Sequence, residues 1–137
     1  MPATLDEIVA LVNECRAANR KLRVVGGGHS FTALVATDDL LVSLDKYTGL
    51  ENVDTANHTA TVKAGTRLKA LGELLFQHGL AQENLGDIDV QSIAGAISTG
   101  NRAPRATRLI SSENPRRHRS PVASFRSAGW DRVSTIS

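Results

Sequence analysis

The sequence predicts an α/β (α+β) fold in which helices flank a small sheet, followed by a disordered tail. Residues 21–62 contain short β-branched or alternating stretches typical of strands, and stretches with helical spacing lie on both sides of them. The composition then changes abruptly at residue 101. A length of 137 residues suits one domain, which would bury about two thirds of the surface that its unfolded chain exposes.

The composition excludes several classes of protein. The single cysteine, Cys15, allows no internal disulfide and no cysteine metal cluster, so we expect a cytoplasmic protein without a metal centre. Residues 1–7 have no basic region ahead of an apolar run, and no segment approaches the roughly 20 apolar residues of a membrane helix. We therefore expect neither secretion nor a membrane span.

The first predicted element is a helix that begins at Thr4 and ends near Asn19. Thr4 and Glu7 have the spacing of a capping box, in which each side chain accepts a hydrogen bond from the backbone amide of the other residue. Four apolar residues then share one helical face: Ile8, Leu11, Val12 and Cys15. Because Cys15 lies on this face, we interpret it as core packing and not as a nucleophile.

Strands are expected next, at residues 21–25, 40–44, 49–53 and 59–62, each bounded by polar or glycine-containing turns. Strands that alternate with helices over about a hundred residues are typical of helices packed on a small sheet.

A second helix is predicted after these strands. We expect Thr66 to cap it and Gly79 to end it. Its apolar face would contain leucines at helical spacing: Leu68, Leu71, and Leu74 or Leu75. We interpret His78 as a cation in the last turn and not as a ligand.

Three glycines directly follow the first predicted strand, in the stretch 24–30 (Val-Val-Gly-Gly-Gly-His-Ser). Glycine allows positive φ and lets a ligand approach the backbone closely, and successive amides in such a turn form a concave anion site. The pattern is not G-x-G-x-x-G, because Phe31 stands in place of the third glycine, and no Gly-Lys-Ser/Thr follows. A tight turn without a cofactor is the alternative.

A second segment of polar and small residues occupies residues 84–100 and breaks any regular period, which predicts a loop. The small residues at 93–97 would allow a flat ligand within contact distance, and residues 98–100 add hydroxyl and amide donors. The alternative is a buried packing seam of small residues.

These two segments resemble the FAD-binding domain of the aldonolactone (L-gulonolactone and D-arabinonolactone) oxidases and alditol oxidases. Those flavoproteins are of the vanillyl-alcohol oxidase and p-cresol methylhydroxylase type. The resemblance rests on residues 24–32, 84–88 and 91–100, and it extends from about Thr4 to Gly100. It implies that residues 1–100 form the N-terminal part of such a domain. It also implies FAD as cofactor and a sugar lactone or alditol as substrate of the intact parent, whose alcohol is oxidised by hydride transfer to FAD.

The resemblance also implies which residues hold the cofactor: Gly26, Gly27, Gly28, His29, Ser30, Gly86, Ser92, Gly95, Ser98, Thr99 and Gly100. His29 matches the position that in many members is bonded covalently to the flavin 8α-methyl group, a role that suits a neutral imidazole nitrogen. The alternative is a turn histidine that hydrogen-bonds the glycine loop. No catalytic residue and no metal ligand is assigned.

Residues 101–137 differ from the rest of the chain. Residues 1–100 contain eight Lys and Arg against twelve Asp and Glu, whereas residues 101–137 contain eight Arg, no Lys and two acidic residues. The family continues its second motif with Thr-His-Gly, but this chain continues with Asn101-Arg102-Ala103-Pro104. Three interpretations are open: a disordered basic tail, an arginine-rich nucleic-acid-binding segment, or a tail translated out of frame, which we favour.

We therefore expect the FAD-binding portion of a truncated FAD-dependent oxidoreductase that is inactive alone, with no nucleic-acid partner. The alternative is a small non-catalytic protein that binds a nucleotide or a partner through the glycine turn.

Overall fold

The computed structural model describes residues 1–30, 33–82 and 87–98, together with the backbone of residues 109–111 and 126–127. The helices are α1 (Leu5–Ala17), α2 (Leu68–Phe76) and α3 (Ile93–Ser98). The strands are β1 (Leu22–Val25), β2 (Leu40–Ser43), β3 (Leu50–Asp54), β4 (Thr59–Val62), β5 (Leu80–Gln82), β6 (Leu109–Ser111) and β7 (Arg126–Ser127). This mixture of helices and strands confirms the predicted fold class.

Within these ranges the strands form three small sheets and not one. β1 pairs with β2 in parallel, β3 pairs with β4 antiparallel, β7 extends that sheet in parallel to β4, and β5 pairs with β6 antiparallel. β6 and β7 fall in the stretch predicted as a tail, and the remainder of that stretch lies outside the described residues.

Helix α1 begins as its sequence predicts. The Thr4 hydroxyl accepts a hydrogen bond from the Glu7 amide at 3.2 Å, and the Glu7 carboxylate accepts from the amides of Ala3 at 2.6 Å and Thr4 at 3.4 Å. These backbone donors lower the pKa of Glu7 below its ordinary value of 4.5. Cys15 is buried, as predicted, whereas Val12 on the same face is 41% exposed.

The core lies between α2, α3 and the β3–β4 hairpin. Its buried members are Ala60, Val62, Leu68, Leu71, Leu75, Leu80, Ile93 and Ala96. Three of the leucines come from the predicted apolar face of α2. The half-buried Leu50 and Val53 of β3 pack against this cluster.

The start of α2 differs from the prediction, because Arg67 and not Thr66 is the N-cap residue, and it has no side-chain capping bond. Thr66 is buried, and its hydroxyl is used elsewhere: it donates to the Lys63 carbonyl at 2.7 Å and accepts from the Gly49 amide at 2.9 Å. The Thr66 hydroxyl therefore links the start of β3 to the end of β4 through hydrogen bonds.

The end of α2 also differs slightly. The helix stops at Phe76, so His78 lies beyond its last turn. Gly79 has a φ of 68°, as expected of a glycine that ends a helix, and its amide donates to the Phe76 carbonyl at 3.0 Å.

The predicted loop at residues 84–100 contains a short helix, α3. Sequence reasoning missed it because the small residues hide its period. Ile93 and Ala96, three positions apart, are both buried in the core, and the Ser92 hydroxyl accepts from the Gly95 amide at 3.3 Å where the helix starts. Residues 87–92 are irregular, as predicted.

Candidate functional site

The glycine turn and the second motif meet at one edge of the parallel β1–β2 pair. Because the register pairs Val25 with Ser43, both strands end at this edge, where Gly26 follows β1. Residues 89–92 lie beside the glycine turn and are held by hydrogen bonds to the start of α2. The amides of Leu68 and Lys69 donate to the carbonyls of Gln91 and Asp89, each at 2.9 Å.

Direct contact joins the two predicted motifs at Gly26 and Ser92. A Cβ added at Gly26 would overlap the Ser92 hydroxyl oxygen, so only glycine fits there without a shift. Ser92 is 3% exposed, and its hydroxyl lies between Gly26 and Gly95. Its observed contribution is therefore to hold the turn against the start of α3.

Arg67 is a site residue that sequence reasoning missed. Its Nη1 donates to the Val90 carbonyl at 3.1 Å, and its Nη2 donates to the Asp45 carboxylate at 2.5 Å. A Cβ at Gly27 would lie 2.7 Å from Nη1 and 3.0 Å from the Val90 carbonyl oxygen. One signal could have found Arg67: a cation at the N-terminus of a helix is opposed by the helix dipole, which indicates a partner elsewhere in the fold.

Gly28 leaves the outer side of the turn open. Its φ is 71°, a conformation that favours glycine, and a Cβ built on it would meet nothing within 4 Å. In the part of the chain that the structure describes, the amides of Gly27 and Gly28 donate to no protein acceptor. A turn that is exposed at Gly28, and whose Gly27 and Gly28 amides have no protein acceptor among the described residues, fits an anionic group such as a pyrophosphate.

A cavity of ≈ 480 Å³ adjoins the turn. It is lined by His29, Arg67, Lys69, Ala70, Glu73 and Val90. The lining carries two cationic side chains and one carboxylate, and the Arg67 charge is paired with Asp45 beside the cavity. His29 is exposed and directly follows the turn.

The remaining predicted site residues are only partly accounted for. Ser30 is exposed beside His29, Gly95 lies in α3 against the Ser92 hydroxyl, and Ser98 is exposed at the end of that helix. Gly86, Thr99 and Gly100 lie outside the described residues.

The described ranges contain no group of three or more His, Cys, Asp or Glu that could hold a metal ion. None of their helices is both long enough and apolar enough to cross a membrane.

The sequence matches the family described as FAD binding domain over residues 1–113. Its curated relatives include the D-arabinono-1,4-lactone oxidase of Saccharomyces cerevisiae, which is 41% identical over 109 residues. They also include the L-gulono-1,4-lactone dehydrogenase of Mycobacterium tuberculosis, which is 36% identical over 98 residues. These matches cover 73% and 72% of this chain but 20% and 23% of the relatives. The chain thus spans about a fifth of the length of the curated relatives it matches.

Solved structures of other proteins also match this chain. Cholesterol oxidase from Brevibacterium sterolicum matches with a TM-score of 0.61 and 28% identity, covering 70% of this chain and 19% of that one. An alkyldihydroxyacetonephosphate synthase matches with a TM-score of 0.64, covering 72% of this chain and 20% of that one, and at 22% identity it shows the fold alone.

The matched range includes β6, beyond Gly100, and the division of the chain at residue 100 stays a prediction. The predicted resemblance to the FAD-binding domain of the aldonolactone oxidases is confirmed. This chain belongs to the FAD binding domain family, and its cofactor is FAD.

Proposed function

We propose that this chain is the FAD-binding portion of an oxidoreductase that oxidises an alcohol of a sugar lactone or an alditol. The observation that carries the proposal is the contact of Gly26 with Ser92, which brings the two motifs of the family resemblance to one edge of the fold. The lactone-oxidising relatives, at 36% to 41% identity, support the substrate class.

The residues of the chain would bind and orient the cofactor. The open amides of Gly27 and Gly28 would donate to the pyrophosphate, and backbone donors need no side chain for this task. Ser92 would keep the turn in place from the buried side. FAD, when bound, supplies the acceptor for the hydride that leaves the alcohol carbon.

His29 is proposed as the residue that carries covalent flavin. It is exposed next to the turn and lines the cavity, so its imidazole is accessible to a ligand there. A neutral imidazole nitrogen is a competent nucleophile near pH 7. Forming the bond would remove one hydrogen from the imidazole and one from the 8α-methyl group, and the two electrons released would pass through the flavin to molecular oxygen.

The chain alone is proposed to be inactive on lactones and alditols. It spans about a fifth of its relatives' length, and we assign substrate orientation and water exclusion to the rest of the parent protein. We also propose a cytoplasmic location, since a chain with one cysteine forms no internal disulfide and needs no oxidising compartment.

A matched pair of glycine variants tests the binding site. Gly28→Ala and Gly79→Ala both place a side chain at positive φ (71° and 68°) in open space, so their backbone strain is comparable. We expect Gly28→Ala to weaken FAD binding about tenfold or more, because the new methyl group obstructs the open face of the turn. Gly79→Ala should bind FAD as the wild type does. Equilibrium dialysis with flavin absorbance measures both, in a His29→Ala background so that no covalent bond to FAD forms.

Acid precipitation of the wild-type protein after incubation with FAD tests His29. Flavin that stays with the wild-type peptide containing His29, as an added mass, supports the covalent bond. Equal FAD affinity of the two glycine variants, or no FAD binding by the wild type, would refute the proposed site. Binding of ADP as tight as that of FAD, with no flavin retained, would favour the alternative of a non-catalytic nucleotide-binding protein.

A further inference from the structure

Arg67 contacts three segments that meet at the turn. Its two terminal nitrogens bond Asp45, just past β2, and the carbonyl of Val90 in the irregular segment 87–92. Its Nη1 also faces Gly27 closely enough that any side chain at that position would displace it. The segments that carry these groups are distant in sequence, so the guanidinium is a direct link between them.

The geometry depends on arginine and not merely on positive charge. The planar guanidinium presents its donors in a fixed fork, so two nitrogens reach two acceptors at defined angles. Asp45 is itself placed by the end of β2, where its amide donates to the Ser43 hydroxyl at 3.2 Å. A lysine ammonium would keep the charge but could not reproduce the fork.

Arg67 and Asp45 are partly exposed, with 36% and 44% of their side chains accessible. An ion pair this exposed contributes little to global stability because solvent screens it. Its effect should instead be local, on the arrangement of the turn and of residues 89–92.

We propose that Arg67 is a positioning residue for the cofactor. Arg67 holds the glycine turn and residues 89–92 at a fixed distance from each other, so that the turn amides are arranged for an anionic group before that group binds. The inference rests on the proposed function. A turn that is already ordered loses less conformational entropy on binding, and so binds more tightly.

Four variants of the full chain separate positioning from charge. Arg67→Met removes both fork and charge, Arg67→Lys keeps the charge, and Asp45→Asn removes the charged partner from a different segment. Arg23→Met is the matched control, since it removes an exposed guanidinium of β1 that does not line the cavity and leaves the Arg67 contacts in place.

Two readouts are needed: the FAD dissociation constant, measured in a His29→Ala background so that no covalent bond forms, and the NMR order parameters of the Gly26–Gly28 amides in the cofactor-free protein. We expect Arg67→Met and Arg67→Lys to weaken FAD binding about tenfold and to lower the order parameters of the turn amides. Asp45→Asn should change both in the same direction by a smaller factor. Arg23→Met should leave the order parameters at wild-type values and the affinity within about threefold.

Each result decides the matter. Wild-type order parameters and affinity in Arg67→Met, with normal FAD binding by the wild type, overturn this inference alone. Wild-type behaviour of Arg67→Lys overturns it as well, since charge would then suffice. Failure of the wild type to bind FAD overturns the proposed function and this inference together. If Arg67→Met does not fold, Asp45→Asn carries the test with the same criteria.

Discussion

The β1–β2 pair and the packed region formed by β3, β4, α2 and α3 share regular backbone hydrogen bonding but differ in burial. In β1 and β2 the one buried residue is Val42, and Val24 and Leu41 are 48% and 49% exposed. The packed region instead forms, together with Leu80 of β5, a continuous cluster of eight buried residues. A strand ladder fixes register, but apolar burial supplies most of the stability. The glycine turn, at the end of the less buried pair, therefore depends on contacts with the packed region.

The largest expected effect comes from the core. Leu71→Ala removes a side chain that is 0% exposed, and it should lower the free energy of unfolding by about 2–5 kcal/mol, from lost burial and a residual cavity. Val24→Ala is the matched truncation in β1 and should cost about 1 kcal/mol or less, because nearly half of Val24 already contacts solvent. Urea unfolding followed by circular dichroism measures both. Equal costs would contradict the difference in burial.

An intermediate effect is expected where the two regions meet. Gly26→Ala places a methyl group on the Ser92 hydroxyl and should cost about 1–3 kcal/mol through overpacking. Adding Ser92→Ala removes the overlapping oxygen, and the built Cβ would then lie 3.4 Å from the Cβ of residue 92, an ordinary contact. The double variant should therefore regain part of the stability that Gly26→Ala loses.

Thermal unfolding of the four proteins gives the coupling between the two positions. Additive costs of the two single substitutions would show that Gly26 and Ser92 do not touch in solution.

Local patterns were sufficient to predict much of this fold. The α1 capping box and the buried face of α2 were predicted because both depend on residues three or four apart in the chain. The glycine turn was predicted for the same reason, since three consecutive glycines after an apolar strand need no tertiary information.

The failures involve tertiary contacts. Thr66 is a good capping residue in isolation, but its hydroxyl is used by Gly49 and Lys63. Arg67 carries no motif, and its role is visible only once Asp45 and Val90 are brought beside it. Pairing of the β strands into three sheets likewise depends on long-range register that no single stretch encodes.

The smallest expected effect concerns α1, in which Cys15 is the buried residue and the N-terminal cap is fully exposed. The amides of Ala3 and Thr4 bond the ionised Glu7 carboxylate and lower its pKa below 4.5. The contribution of this cap to stability is therefore complete above about pH 4.5 and is lost as the pH falls through the lower pKa of the folded state. Hydrogen bonds from the side chain and amide of Asn57 also lower the pKa of Asp54, so protonation of this second carboxylate contributes to the acid dependence of stability as well. The variant Glu7→Gln is thus needed to isolate the Glu7 contribution. The free energy of unfolding of this variant should fall less steeply with decreasing pH than that of the wild type. In the wild type, the NMR titration midpoint of Glu7 should lie below 4.5. A midpoint at or above 4.5, or identical acid profiles of the two proteins, would mean that the cap bonds do not persist in solution.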